Sequence, residues 1–143
     1  MLRLISSTLL LTLSLCSVIA QDQSYTPGQG TRERQAIVDA LRSPVQKHLR
    51  KKVIFKIEHL KVQGDWAFMR GVPQQPGGGA MSYGDTVYQV AIDAGAFDDG
   101  IVALLRKRGG KWQVVKYVIG ATDVPYLEWD KQYHAPSGIF QEQ

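Results

Sequence analysis

Cysteine occurs once in this chain, at Cys16, inside an apolar leader. Downstream of that leader there is no disulfide, no catalytic thiolate and no cysteine metal site, so stability has to come from burial. Histidine is scarce as well. His48, His59 and His134 fall in no HExxH or HxH pattern and pair with no other ligand type at metal spacing. No GxSxG elbow is present to start a hydrolase triad. The glycines of PQQPGGGA (residues 73–80) lack the following Lys-Ser/Thr of a phosphate cradle. Asp98, Asp99 and Gly100 lack the alternating ligands and terminal glutamate of a calcium loop. No metal and no cofactor is expected. Charge of one sign is also limited: 17 Lys and Arg against 13 Asp and Glu give a net +4, too small a surplus to point to nucleic acid.

What is present begins with the leader. Arg3 precedes an apolar stretch over residues 4–19, and Val18 and Ala20 supply small residues for a cleavage site, which reads as a secretory signal peptide over residues 1–20. The stretch is short for a membrane span of roughly 20 residues and is broken by serines and threonines. Lipidation at Cys16 is disfavoured because Leu15 stands where a small residue is normal. The chain is therefore expected to be exported, to periplasm or medium, with no transmembrane segment after cleavage. Residues 21–30 (QDQSYTPGQG) are polar and aperiodic and read as a flexible leader, followed by one α+β domain over residues 31–143.

Thr31 is suited to cap a helix whose first turn carries Glu33. Ile37, Ala40, Leu41, Val45 and Leu49 mark one apolar stripe, interrupted by Pro44. A helix kinked at Pro44, or two short helices with Ser43 as a second cap, is expected. VIFKIEHLKVQ is a strand whose parity changes midway: Val53, Phe55 and Ile57, then Leu60 and Val62. A β-bulge near Glu58 and His59 reconciles the halves. Gly64 and Asp65 then turn the chain into WAFMRGV. Residues 73–80 form a glycine-rich loop, either a lid or a connector. Asp85 is expected to cap a short helix carrying Val87, Val90, Ala91 and Ala94, closed by Gly95.

IVALLRKR and KWQVVKYVI are two further strands joined at Gly109 and Gly110. Both are apolar on both parities, so both sheet faces need cover. The N-terminal helix covers one. Tyr126, Trp129 and Tyr133, on a short helix capped by Asp123, fall on one stripe and are expected to help cover the other. A second copy of the chain is the alternative cover, making a homodimer through the spare sheet face. The architecture expected is thus an N-terminal helix on a curved antiparallel sheet of about four strands, with a short C-terminal aromatic helical segment.

This order, and the LLRKRGGKWQVV hairpin in which a charged turn precedes a tryptophan, resembles cystatin-like and nuclear transport factor 2-like domains over residues 31–120. The chain is also similar to small exported bacterial proteins. The aromatic tail from Thr122 onward is extra to that pattern, and the helical stretch is short for it. The resemblance implies functions from isomerase and dehydratase to ligand binder and interaction module, so fold does not select among them. An isomerase of the ketosteroid type implies a carboxylate facing a tyrosine, for which Asp65, Asp85 or Asp123 with Tyr88 or Tyr117 are the candidates.

Function is accordingly expected to be non-enzymatic binding of a small apolar ligand or a protein partner. The candidate ligand-binding residues are His59, at the bulge, and the aromatics Trp66, Tyr117, Tyr126 and Trp129. Two alternatives stand beside it: an acid/base enzyme in a cone-shaped pocket, and an envelope protein acting through the basic tip from Arg106 to Lys111.

Overall fold

The computed structural model describes residues 23–142; the signal peptide assigned to residues 1–20 lies outside them. Helix α1 (Arg32–Leu49) starts as its sequence dictates, with the Thr31 hydroxyl accepting the Arg34 amide at 3.3 Å and Glu33 in the first turn. Of the two arrangements expected at Pro44, the single helix is the one that forms: it runs through the proline. An interior proline costs about 3 kcal/mol. Against it stand Ile37, Val38, Leu41, Val45 and Leu49, all buried on one stripe, each contributing roughly 1.5–3 kcal/mol. Burial of the continuous stripe outweighs the broken hydrogen bond. No helix among the described residues is long and apolar enough to cross a membrane.

Four strands follow, β1 (Ile54–Gln63), β2 (Trp66–Gln74), β3 (Ile101–Arg108) and β4 (Lys111–Ile119), forming an open antiparallel sheet in the order β1-β2-β3-β4. The chain is thus α+β, a helix on a four-stranded meander. The β1 bulge lies where the parity change puts it: Ile57 faces Gly71 and His59 faces Arg70, leaving Glu58 as the extra residue. A second bulge in β4 was not anticipated. Leu104 faces Lys116 and Leu105 faces Val114, so Val115 is the extra residue there. It turns Trp112, Val114, Tyr117 and Ile119 to the same side, where all four join the helix-side core.

The helix-side core gathers the α1 stripe with Leu60, Val62, Met69, Ile101, Ala103 and Leu105. Beyond the helix, Tyr83, Tyr88 and Phe97 from the β2–β3 connection continue the cover. Gly120, at φ +84°, gives Phe97 its seat: a Cβ there would collide with the ring. The expected helix capped by Asp85 is a single turn, α2 (Gln89–Asp93), with none of its residues buried. Val87 and Val90 are 73% and 80% exposed, because the three aromatics and not the aliphatic stripe anchor this segment. Residues 75–80 close on themselves: the Gln75 amide donates to the Gly79 carbonyl at 2.8 Å and Gln74 bridges Ala80.

On the opposite face, Phe68, Val102 and Leu104 are covered by Trp129, Ala135 and Ile139, flanked by Tyr126, Tyr133 and Phe140. The tail carrying them comprises a turn, the one-turn helix α3 (Trp129–Tyr133) and a 3-10 helix (Ser137–Ile139). The face for which a second copy was the alternative cover is thus occupied by the chain's own C-terminal segment. Within the described part of the segment read as a flexible leader, Tyr25 meets the sheet edge. Tyr25 exchanges both backbone hydrogen bonds with Val62, and its hydroxyl reaches Glu33 at 2.9 Å.

Gly71 is the residue this geometry tolerates least well when enlarged. A Cβ at that position would collide with the Lys56 carbonyl oxygen and lie 3.2 Å from the Ile57 Cα, both backbone atoms. Gly71→Ala is expected to destabilise the domain by roughly 1–3 kcal/mol, the usual range for overpacking. Gly79→Ala, where a Cβ meets nothing within 4 Å, is the control and should stay within about 0.5 kcal/mol of the parent. Urea denaturation midpoints of the two variants check this.

Candidate functional site

The β1 bulge organises the tail-covered face of the sheet around itself. By inserting Glu58, it leaves His59 and Lys61 on that face, opposite Arg70 and Phe68 respectively. The His59 ring packs edge-on against Phe68 at 5.5 Å, and its Nε2 lies 2.8 Å from the Ile139 carbonyl. A carbonyl only accepts, so Nε2 carries the proton and the tautomer is set by the tail. Lys61 is covered to 6% exposure. Arg70 sits at the centre of the face: one guanidinium nitrogen donates to the Tyr126 hydroxyl at 3.4 Å and another pairs with Glu142 at 2.5 Å. Both partners favour the charged guanidinium, Tyr126 foremost, so its pKa lies above the ordinary value despite partial desolvation.

Two open depressions meet at Glu58 and Arg70. The first, about 340 Å³, lies along the bulge and is lined by Arg34, His59 and Lys61 together with Glu142. Its character is polar and mainly cationic. The second, about 270 Å³, has an aliphatic floor of Val72, Val102 and Val118. Val124, Pro125 and Tyr126 form one wall, and Asp98, Asp99 and Asp123 stand on its rim.

Of the expected ligand-binding residues, His59 and Tyr126 reach these depressions, one in each. Trp66, on the same face, is half-buried under the Arg106 guanidinium, 4.8 Å from its ring, and lines neither depression. Trp129 is 3% exposed and crosses Phe68 edge-to-face at 6.4 Å, a core position. Tyr117 is on the helix side, its hydroxyl hydrogen-bonded to His48 Nδ1 at 2.8 Å. The five therefore do not form one constellation.

Lys61, Arg70, Arg34 and Glu142 were not singled out from sequence. The outward parity of His59, Lys61 and Gln63 reads as a solvated strand face, and only the folded tail converts it into a covered one.

The carboxylates considered for acid/base work are dispersed. Asp65, Asp85 and Asp123 are all exposed, on three different connections, and none is hydrogen-bonded to Tyr88 or Tyr117. Among the described residues no group of three or more His, Cys, Asp or Glu is placed to hold a metal ion. The basic tip is partly engaged by its own aromatics, Arg106 over Trp66 and Lys107 over Trp112 at 5.7 Å. Lys51 Nζ, just past the end of α1, donates to the Ser82 carbonyl at 2.5 Å.

The tyrosines of the helix-side face have perturbed acidities. Burial raises Tyr83 and Tyr117, and it pushes Tyr88 up to about 12, with Tyr117 adding to the effect. A pKa raised by folding favours the protonated native state. The associated stability is complete below pH 10, the unfolded tyrosine value, and is lost as pH rises towards about 12. Urea denaturation is expected to show falling stability over that window, and Tyr88→Phe is expected to make the fall shallower. An equal slope in wild type and variant would exclude Tyr88 as a contributor.

No family model, curated protein or solved structure matches this chain.

Proposed function

We propose that this chain is an exported, non-enzymatic binding domain for a small ligand with an apolar body, seated in the valine-floored groove beside Tyr126. The observation that carries this reading is the groove itself: Val72, Val102 and Val118 form its floor beside the aromatic rings that cover Phe68 and Leu104. Apolar lining with a few polar groups at one end is the usual make-up of a small-molecule site. Here Arg70 and the Tyr126 hydroxyl are joined as polar groups by the carboxylates of Glu58, Asp98, Asp99 and Asp123. The size, about 270 Å³, suits a small molecule better than a peptide. Export rests on the leader sequence, and ligand binding is among the functions that the cystatin-like resemblance implies. The enzymatic alternative has less support, because its candidate carboxylates are exposed and apart.

The test is native mass spectrometry of the mature protein gently extracted from its own compartment. Wild type is expected to carry the added mass of a small molecule. Val118→Arg, which puts a charged chain on the groove floor, is expected to show the bare mass with unchanged far-UV circular dichroism. A bare wild-type mass, or the same adduct on a folded Val118→Arg, would overturn the proposal.

A further inference from the structure

Lys61 is a covered charge that the fold leaves without a counter-ion. Among the described residues it is the buried charged one, 6% exposed, and it pairs with Phe68 across the β1–β2 ladder. The ion pairs among the described residues are Arg42–Asp39, Arg70–Glu142 and Lys131–Glu128, and none involves it. Nor does any described side chain or carbonyl accept a hydrogen bond from its ammonium. Covering an ammonium without a partner is unfavourable unless water or an anion compensates.

The direction in which compensation can arrive is fixed. Among the described residues, every side-chain nitrogen or oxygen sealed from solvent has a partner. The unpartnered Lys61 ammonium therefore retains solvent contact, and the opening it lines is the 340 Å³ cavity at the bulge. A lysine that only snorkelled would explain the burial of the stem. It would not explain why Arg34, His59 and Arg70 line the same cavity. Three permanent cations face two carboxylates there, Glu58 and Glu142. Glu142, whose side chain is 65% exposed, holds an oxygen 2.5 Å from Arg70 as a ligand's carboxylate would.

We propose that this cavity is an oxyanion site, taking the carboxylate or phosphate of a small ligand on Lys61, and that Glu142 competes with it for Arg70. Charge-assisted contacts of this kind are the stronger class of hydrogen bond, and an arginine fork suits either oxyanion. The inference deepens the reading of the tail-covered face as a ligand site by naming a charged head beside the apolar groove. Its test needs no apolar body, so the two can fail separately.

The experiment is an NMR titration of isotopically labelled mature protein at constant ionic strength, with inorganic phosphate in one arm and acetate in the other. At least one anion is expected to give saturable shifts confined to residues 57–61, Arg70 and Glu142, and the arm that saturates identifies the head group. Lys61→Met keeps the apolar stem and is expected to weaken that binding about tenfold or more, as loss of a charge-assisted contact does. Lys56→Met, on the same strand and exposed, should titrate like wild type. Glu142→Gln is expected to tighten binding roughly twofold to fivefold, the scale of an exposed ion pair. Amide spectra of each variant at zero anion establish that it is folded. No localised saturable shift in either arm, or a folded Lys61→Met that titrates like wild type, would overturn the proposal. A chain of bare native mass that still binds phosphate or acetate would remove the apolar ligand and leave the oxyanion site standing.

Discussion

Strand β3 has no polar side over most of its length: Ile101, Val102, Ala103, Leu104 and Leu105 are all buried, alternately on the two faces of the sheet. A strand of this kind is stable only inside a three-layer arrangement. The rest of the chain meets that demand. Helix α1 and the Tyr83–Tyr88–Phe97 cluster cover one face, and the C-terminal aromatics cover the other. The second cover depends wholly on the first demand. Its helical pieces are one turn long, too short to persist alone. Each buried aromatic removes about 150–250 Å² from water, enough to hold such turns in place.

Covering the second face changes the chemistry of β1. His59 and Lys61 occupy outward positions that would be solvated on a bare sheet. In the folded chain, His59 donates a hydrogen bond to the Ile139 carbonyl and the Lys61 side chain is largely covered. The bulge at Glu58 sets where this happens, and Gly71 permits it, because the backbone of β1 approaches too closely for a side chain. Arg70 then links the pieces, with Tyr126 from the start of the tail and Glu142 from its end both on its guanidinium. A structural requirement for apolar cover thus assembles a polar cavity and an apolar groove side by side.

Much of this was legible from local pattern. The strand limits at residues 101–108 and 111–119, the Gly109–Gly110 turn, the Thr31 cap and the β1 bulge each rest on interactions within a few residues. The β4 bulge carried the same signal, since Trp112 and Val114 share one parity and Tyr117 and Ile119 the other. It was hidden because Val115 and Val118 made the strand look uniformly two-faced. Pro44 left one helix or two open by local signal: its cost is real, but the stripe from Ile37 to Leu49 is buried as a unit, and one helix results. The short helix expected after Asp85 forms only over Gln89–Asp93, with Tyr88 at its cap position, and Val87 and Val90 are exposed.

The candidate site was less legible. His59 and Tyr126 were found because a bulge and an aromatic stripe mark them in one dimension. Lys61, Arg70 and Glu142 could not be, since Lys61 and Glu142 lie 81 positions apart and meet only through the folded tail. By itself the sequence determined the α+β class, the order of elements and the need for two covers, because periodicity and turn chemistry act over a few residues. Only the tertiary structure decided which polar groups would be buried with the apolar ones, because burial is a property of what packs on top.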